Sequence, residues 1–337
     1  MMNEKTWRMP AEWEQHERTL MAWPTRAELW GSHIDEAKAE YAATANAIAD
    51  FEPVTMVTNP GQVDEVRAAC SAGVEVLALE IDDSWIRDSG PIFVVDDAGN
   101  RAGVDFVFNS WGERFRPFDK DASIARRVLE SLGVERISSD MVLEGGAIMV
   151  DGQGTLLTTE QCLLNTNRNP SMTTDDIEAE LAATLGIEKF VWLKWGNFED
   201  AHTDGHIDGV AAYVGPGRIL VQTCDDPSNP NYDLMAENME ILKSATDNAG
   251  RAFDIVEMPY LPYFDLDGET LVCCIPNYYV ANNSVIVPVS GARDDDAALA
   301  IIARAYPGRE VVGVPGSIIS FGGGGPHCIT QQVPFVS

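Results

Sequence analysis

The stretch TLLTTEQCLLNTNRNPSMTTDDIEAELAATLGIEKFVWL, residues 155–193, contains the structural unit from which the fold can be predicted. Its two ends, TLLTT and FVWL, are short β-branched and apolar runs of the kind that form strands. Between them, residues 173–186 have apolar side chains at helical spacing and end at a glycine, a common signal for the end of a helix. A strand, a helix and a second strand are therefore expected here.

The same alternation continues on both sides of this stretch. Helical periodicity with start signals occurs in four further segments, at residues 35–50, 119–133, 232–250 and 294–306. Further strand-like runs surround these helices: VTMVT at Val54, VEVLALE at Val74, PIFVV at Pro91, DFVF at Asp105, RILVQT at Arg218, FDIVEM at Phe253, SVIVPV at Ser284 and EVVGV at Glu310. This pattern predicts an α/β fold.

Two architectures fit the alternation. Five principal helices, bracketed by strands and recurring at intervals of roughly 55 to 85 residues, could belong to five copies of one strand-rich unit in a propeller-like ring. An ordinary doubly wound sheet fits the same counts equally well. No low-complexity linker divides the chain, and 45% hydrophobic side chains in 337 residues can bury a large core. We expect one large domain over residues 1–337, with two closely packed halves as the alternative.

The charge of the chain restricts the class of partner. Acidic residues number 53 and basic residues 23, which gives a formal net charge of -30. Such a charge repels phosphate backbones and anionic lipids, and it favours cationic ligands. We therefore expect a small cationic substrate rather than a nucleic acid or a membrane.

Targeting signals and cysteine usage suggest a reducing compartment. The segment MMNEKTWRMPAEWEQHERTL lacks the basic start and apolar run of a secretory signal, and no stretch approaches the roughly 20 apolar residues of a membrane span. The cysteines are scattered without a CxxC pair, at Cys70, Cys162, Cys224, Cys273, Cys274 and Cys328. A cytoplasmic location is expected, and a homo-oligomer is compatible with the sequence.

The most unusual segment is FGGGGPHCITQQVP, from Phe321 to Pro334. Glycine permits close backbone approach, so this loop can present Cys328 at a cavity. The simpler alternative is a flexible turn before a buried cysteine. His327 would point away from Cys328 if the two residues lay on a strand, which makes it a poor base for the thiol.

A better proton carrier lies in the segment HTDGHIDG. If this segment is a strand, His206 and Asp208 share one face and can line a single pocket. Alternatively, His206 is a core histidine and Asp208 a turn residue. His202 and Asp204 give the segment a metal-like appearance, but no HExxH or paired-cysteine spacing accompanies them. No metal is therefore expected.

Two more segments contribute acidic side chains. In DDSWIRDSGP, Asp88 at the mouth of a strand could bind a cation whose planar face Trp85 covers. Alternatively, Arg87 and Asp88 form ion pairs with each other or with surface groups. In LEGGAIMVDGQGT, Glu144 precedes two glycines that allow a ligand to approach closely.

Together these segments supply a thiol, an imidazole and three carboxylates. A guanidinium group is planar, stays protonated near neutral pH and offers paired N–H donors that carboxylates accept. Carboxylates could hold such a group while a thiolate attacks its carbon.

Several longer motifs resemble those of agmatine deiminases in the guanidine-modifying (pentein) superfamily. They occur in the family's order and cover residues 8–334: RMPAEWEQHERTLMAWP, WIRDSGP, EGGAIMVDGQGTLLTTEQCLLNTNRNP, DGHID and GGGGPHCITQQVP. The resemblance implies a five-bladed α/β propeller with the active site on its pseudo-fivefold axis and without a metal or organic cofactor.

The resemblance also implies roles for individual residues. It makes Cys328 the nucleophile, His206 the acid and base, and Asp88 and Asp208 the carboxylates that bind the guanidinium. Glu144 and Trp85 match positions that line the substrate cavity. Departures from the family pattern at Pro326, Asn283, Ser284 and AELWGSH affect the end of the pocket that binds the substrate tail.

The implied reaction converts agmatine and water to N-carbamoylputrescine and ammonia through a covalent amidino-thioether, a step towards putrescine in polyamine biosynthesis. Alternatives are a deiminase of arginine or peptidyl-arginine, an amidinotransferase that uses the same intermediate, and a non-catalytic polyamine-binding module. The thiol and the imidazole argue against the last of these, because a binder needs only the carboxylates and Trp85.

Overall fold

The computed structural model describes residues 6–337. The first five residues of MMNEKTWRMPAEWEQHERTL, for which we expected no secretory signal, lie outside the described residues. Eleven helices are present in the described chain: α1 Ala27–Trp30, α2 Ile34–Ala49, α3 Val63–Ala69, α4 Ile86–Ser89, α5 Ser110–Glu113, α6 Ile124–Leu132, α7 Glu160–Leu163, α8 Thr174–Leu185, α9 Asn231–Ser244, α10 Asp295–Ala305 and α11 Ser317–Phe321.

Eighteen strands alternate with these helices in residues 6–337: β1 His16–Ala22, β2 Val54–Thr58, β3 Val74–Ala78, β4 Ile92–Val95, β5 Arg101–Val107, β6 Glu135–Val142, β7 Ile148–Val150, β8 Thr155–Thr159, β9 Lys189–Leu193, β10 Ala211–Gly215, β11 Arg218–Thr223, β12 Asp254–Pro259, β13 Phe264–Leu266, β14 Glu269–Leu271, β15 Tyr279–Ala281, β16 Ser284–Val289, β17 Glu310–Pro315 and β18 Thr330–Pro334. The predicted α/β class is confirmed.

The strands form small separate sheets, which does not fit a single doubly wound sheet. Three-stranded sheets contain β4-β5-β6, β7-β8-β9, β10-β11-β12 and β15-β16-β17, and a fourth strand extends the sheet β18-β1-β2-β3. In each of these five sheets the first two strands pair antiparallel and the next strand pairs parallel. One supersecondary unit therefore occurs five times, and β13 and β14 form a separate hairpin.

The stretch 155–193 shows how the sequence specifies one unit. Strands β8 and β9 pair parallel, and α8 connects them. Thr173 and Asp176 form a reciprocal capping box at the start of α8, and Gly186 ends the helix with a φ of 70°. A side chain at Gly186 would also lie 2.1 Å from the Trp7 carbonyl oxygen, so both its conformation and its surroundings require glycine.

The predicted principal helices are confirmed, with two changes of boundary. The segment 232–250 is helical only to Ser244, because Ala245 is extended and Thr246 pairs with Ala252 in an isolated bridge. The segment 119–133 contains α6 preceded by a 3₁₀ turn at Asp121–Ser123. None of the helices described in residues 6–337 has the length and apolar character needed to cross a lipid bilayer.

Two predicted local structures are wrong. His206 and Asp208 do not share a strand, because Ile207–Gly209 is a 3₁₀ turn. His327 lies in the turn before β18 rather than on a strand. Asp88 lies in the short helix α4, just before β4, which agrees with the expected position at the mouth of a strand. Gly205, with a φ of 90°, turns the backbone before His206, and Gly325 and Pro326 precede His327, so the period-two rule for strands does not apply at these points.

Candidate active site

The predicted site residues lie at equivalent positions of the five units. Each lies in the turn that directly precedes the first strand of a sheet: Asp88 before β4, Glu144 before β7, His206 and Asp208 before β10, and Cys328 before β18. The remaining unit places Asn277 before β15. Contacts between these turns bring together side chains that are up to 240 residues apart in sequence, such as Arg87 and His327.

Gly146 lies where three of these turns meet. Its backbone N–H donates to Asp88 Oδ1 at 2.9 Å. A Cβ atom at this position would lie 2.6 Å from His206 Nδ1 and 2.9 Å from both Asp208 Oδ2 and Asp88 Oδ1. The absence of a side chain at Gly146 therefore allows the imidazole and the two carboxylates to converge.

The thiol of Cys328 is held by two polar side chains. Its Sγ lies 3.3 Å from Asp208 Oδ2 and 3.1 Å from Asn277 Nδ2. Only 7% of Cys328 is exposed to solvent. Burial and the negative charges of Asp208 and Asp88 raise the pKa of the thiol well above its usual value, so it stays protonated in the unliganded protein.

The two carboxylates near Cys328 differ in their electrostatic surroundings. Burial and the charges of Asp208 and Glu144 raise the pKa of Asp88 to about 8, against the hydrogen bonds from Gly146 and from Trp111 Nε1. Burial would raise the pKa of Asp208 as well, but the hydrogen bond and the positive charge of His327 outweigh this effect, so the pKa of Asp208 is lowered. Asp208 is the anion of the empty site, and Asp88 is protonated near neutral pH.

His206 faces two acidic side chains across gaps longer than a hydrogen bond. Its Nδ1 is 3.8 Å from Asp88 Oδ1, and its Nε2 is 3.9 Å from Glu144 Oε2. Neither ring nitrogen has a hydrogen-bond partner among the described residues. Burial lowers the pKa of His206 to about 4, so the imidazole is neutral and can accept a proton from a reacting group.

A second layer of ion pairs, which we did not predict, supports these residues. Glu144 Oε1 accepts from Arg168 Nε at 2.6 Å, and both side chains are fully buried. His327 bridges Asp208 and Glu12, with contacts of 2.9 Å from Nδ1 and 2.7 Å from Nε2. Motif reading missed Glu12, Arg168 and Asn277 because each acts through partners that are distant in the sequence.

One of our alternatives was an ion pair between Arg87 and Asp88, and the structure does not contain this pair. Its guanidinium donates to Gln332 Oε1 at 2.9 Å and to the His327 carbonyl oxygen at 3.2 Å. Trp85 stacks on Trp30 with ring centroids 5.8 Å apart and lines a small pocket together with Asp88 and Cys328.

A cavity of about 290 Å³ opens beside Cys328, and we call it the Cys328 cavity. Its wall carries acidic, polar and apolar groups: Asn197, Glu199, Asp200, His202, Thr203, Asp208, Gly209, Tyr260, Glu269, Thr270, Leu271, Val272, Cys274, Asn277, Ser320, Phe321, Gly323, Gly324 and Cys328. None of these lining residues in the described chain is lysine or arginine. The cavity is therefore suited to a cation.

One cluster could hold a metal on geometric grounds. Glu144, Cys162 and His206 present possible ligand atoms within 4.8 Å of one another. However, the Arg168 guanidinium already neutralises Glu144, and burial raises the pKa of the Cys162 thiol well above its usual value. A protonated thiol and a paired carboxylate are poor ligands, so the donor set does not favour a metal ion. His202 and Asp204, the other metal-like pair, contact Phe115 and Arg168, respectively.

Comparison with known proteins gives matches over nearly the whole chain. The profile of the Porphyromonas-type peptidyl-arginine deiminase family matches residues 8–334. An agmatine deiminase of Pseudomonas aeruginosa is 41% identical over 97% of this chain and 95% of its own length. The structure of an agmatine deiminase of Enterococcus faecalis superimposes with a TM-score of 0.94 and 32% identity, over 99% of this chain and 98% of that one.

A further similar structure contains a ligand. It is a cysteine-to-serine variant of C. jejuni agmatine deiminase with substrate bound, and it matches with a TM-score of 0.91 and 26% identity. The match covers 100% of this chain and 98% of that chain.

Replacing Gly146 by alanine tests the convergence of the three turns. The added methyl group must displace His206, Asp208 or Asp88, so Gly146→Ala should lower kcat on the substrate at least about 100-fold, because a displacement of about 1 Å suffices for such a loss. Gly61→Ala is the matched control, since a Cβ there meets nothing within 4 Å. Steady-state kinetics and thermal unfolding of both variants would check this. A folded Gly146→Ala protein with parental kcat would contradict it.

Proposed function

The chain belongs to the Porphyromonas-type peptidyl-arginine deiminase family, and we propose that within this family it hydrolyses agmatine to N-carbamoylputrescine and ammonia. The relatives that carry this activity in their names match it over almost their full length. The observation that carries the proposal is the Cys328 cavity, whose wall contains the ionised Asp208 but no lysine or arginine, together with the buried Asp88 in the small pocket that shares Cys328 with it. A guanidinium cation supplies the missing positive charge.

Binding of the substrate changes the protonation of the site. A guanidinium between Asp88 and Asp208 donates paired N–H groups to the carboxylates, which favours ionisation of Asp88. The same positive charge lowers the pKa of the adjacent Cys328 thiol and favours the thiolate. The substrate therefore activates its own nucleophile, and the thiol stays unreactive until a cation binds.

The first half of the reaction releases ammonia. The Cys328 thiolate adds to the guanidinium carbon and forms a C–S bond, and the electron pair of the C=N bond moves to nitrogen. His206 then delivers a proton to the departing nitrogen, the C–N bond breaks, and a cationic amidino-thioether remains on Cys328. The neutral imidazole of His206 first takes up the proton that the Cys328 thiol loses, and this is the proton that it later donates to the departing nitrogen.

The second half of the reaction restores the enzyme. His206, neutral after ammonia has left, removes a proton from a water molecule as the oxygen attacks the amidino carbon. Collapse of this second tetrahedral intermediate breaks the C–S bond and returns the electron pair to Cys328. His206 passes its proton to the Cys328 thiolate, the oxygen of the ureido group loses its remaining proton to solvent, and the ureido product leaves.

We further propose that residues 1–337 form one domain in which the five sheets are the blades of a five-bladed α/β propeller. This arrangement is supported by five residues that occupy equivalent positions before the first strands of the five units: Asp88, Glu144, His206, Asn277 and Cys328. A cytoplasmic location is also proposed, because the described cysteines are all free thiols.

Arginine and peptidyl-arginine are the alternative substrates. Their additional carboxylate or peptide group must enter the same cavity. His202 is the histidine among the described lining residues, and burial and the charge of Arg114 lower its pKa. No cation of the lining therefore offsets a carboxylate at neutral pH.

Substrate preference follows from this charge pattern. We expect kcat/KM for agmatine to exceed that for free arginine at least about 100-fold, because burying an unpaired carboxylate costs several kcal/mol. Ammonia release from agmatine, arginine and a blocked arginyl peptide at one pH would measure the preference, with the Cys328→Ser protein as the blank. Equal or better use of arginine would exclude agmatine as the preferred substrate while leaving the cysteine mechanism intact.

The nucleophile can be identified directly. Cys328→Ala should lower kcat by more than about 1000-fold, because the covalent route is lost, whereas Cys224→Ala, at a half-buried thiol that does not line the Cys328 cavity, should match the parent. In the slowed variant His206→Ala, mass spectrometry of peptides should find the amidino adduct on Cys328. An adduct on Cys274, the second thiol of the Cys328 cavity, or residual activity of Cys328→Ala within tenfold of the parent would contradict the assignment.

A further inference from the structure

Glu199 lies in the wall of the Cys328 cavity but takes no part in the chemistry described above. Its Oε2 accepts a hydrogen bond of 2.5 Å from the Tyr260 hydroxyl, and its Oε1 accepts one from Tyr263. Asn231 Nδ2 donates to both oxygens, at 3.1 and 3.0 Å. Neutral donors therefore fix the orientation of this carboxylate.

The charge of Glu199 is not neutralised within the described chain. It forms no ion pair with lysine, arginine or histidine among residues 6–337, although many other carboxylates do. Burial raises the pKa of both Tyr260 and Tyr263, so the two hydroxyls remain donors and add no positive charge. A fixed, unpaired carboxylate in the wall of a ligand cavity is suited to bind a cation.

An independent feature of the same wall also calls for a donor. Asn197 is only 7% exposed, and its Nδ2 donates to the Gly209 carbonyl oxygen at 2.7 Å. Its Oδ1 has no hydrogen-bond partner in the described part of the chain. A buried amide oxygen without a donor costs free energy unless a ligand supplies an N–H group.

We propose that Glu199 and Asn197 bind the terminal ammonium of agmatine, an inference that rests on the proposed function. An alkylammonium has three N–H donors, enough for the Asn197 oxygen and the Glu199 carboxylate together. Leu271, Val272 and Phe321 provide apolar surface in the same cavity for the methylene chain. Asp208 and Glu199, two of the acidic residues of the lining, can therefore face the two ends of a substrate with two positive charges.

This assignment makes Glu199 a specificity-determining residue rather than a catalytic one. It should distinguish agmatine from n-butylguanidine, which has the same guanidinium and chain length but no ammonium group. A merely structural role, in which Glu199 holds Tyr260 and Tyr263 in place, would affect both compounds alike.

Binding measurements in the Cys328→Ser background separate the two roles without turnover. We expect Glu199→Gln to raise the Kd of agmatine at least about tenfold, the loss typical of one charge-assisted hydrogen bond, and to change the Kd of n-butylguanidine less than about twofold. Glu199→Asp should recover part of the preference because the charge returns. Glu257→Gln, which removes the same charge from the exposed face of β12, is the matched control and should change neither value.

Two results would overturn the assignment. One is an equal weakening of agmatine and n-butylguanidine in Glu199→Gln, and the other is an unchanged Kd of agmatine in that variant. If Glu199→Gln fails to fold, Tyr263→Phe keeps the charge and should reduce the preference for agmatine to a smaller extent, so an unchanged ratio there counts against the proposal. Failure of the proposed function would be recognised separately from failure of the Glu199 assignment, because the protein with Cys328 intact would then release no ammonia from agmatine.

Discussion

The burial of Asp88 and Cys328 beside the ionised Asp208 is the constraint on which the rest of the site depends. Asp88 and Cys328 both have raised pKa values for the same reason: they are removed from water and face Asp208. Such an arrangement is unfavourable in the empty protein and becomes favourable when a cation enters. In the proposed reaction, one electrostatic condition accounts for the binding of the substrate, the activation of the thiol and the discrimination against anionic ligands.

The scaffold maintains this condition with two devices. The five repeated units place one turn each at the same site, so that polar side chains converge from distant parts of the sequence. Behind them, Arg168 neutralises Glu144, and His327 is held between Asp208 and Glu12. The pair with His327 keeps Asp208 ionised, whereas the pKa of Asp88 stays raised to about 8. Removing either cation would leave a buried carboxylate unpaired, which is strongly destabilising.

Much of the fold and the site could be predicted from the sequence, and the failures have identifiable causes. Apolar periodicity and glycine signals located the five principal helices, but strands with polar or small residues, such as β6, β10 and β18, carried too weak a pattern. The motifs selected Cys328 and His206 as candidate site residues, yet the assumed strand geometry around His206 was wrong because Ile207–Gly209 is a 3₁₀ turn that follows Gly205, whose φ is 90°. Asn277 could have been found by aligning the five units, whereas Arg168 and Glu12 act through pairings that no local pattern encodes.

Proton release on agmatine binding tests the central claim most directly. Asp88, with a pKa of about 8, is mostly protonated at pH 7, and a bound guanidinium should ionise it and release up to one proton. Titration calorimetry of the Cys328→Ser protein in buffers of different ionisation enthalpy counts these protons without turnover. We predict release near pH 7 that decreases above pH 9, where Asp88 is already ionised, and that is lost in Cys328→Ser/Asp88→Asn. Binding of agmatine at pH 7 with no proton release would contradict the account.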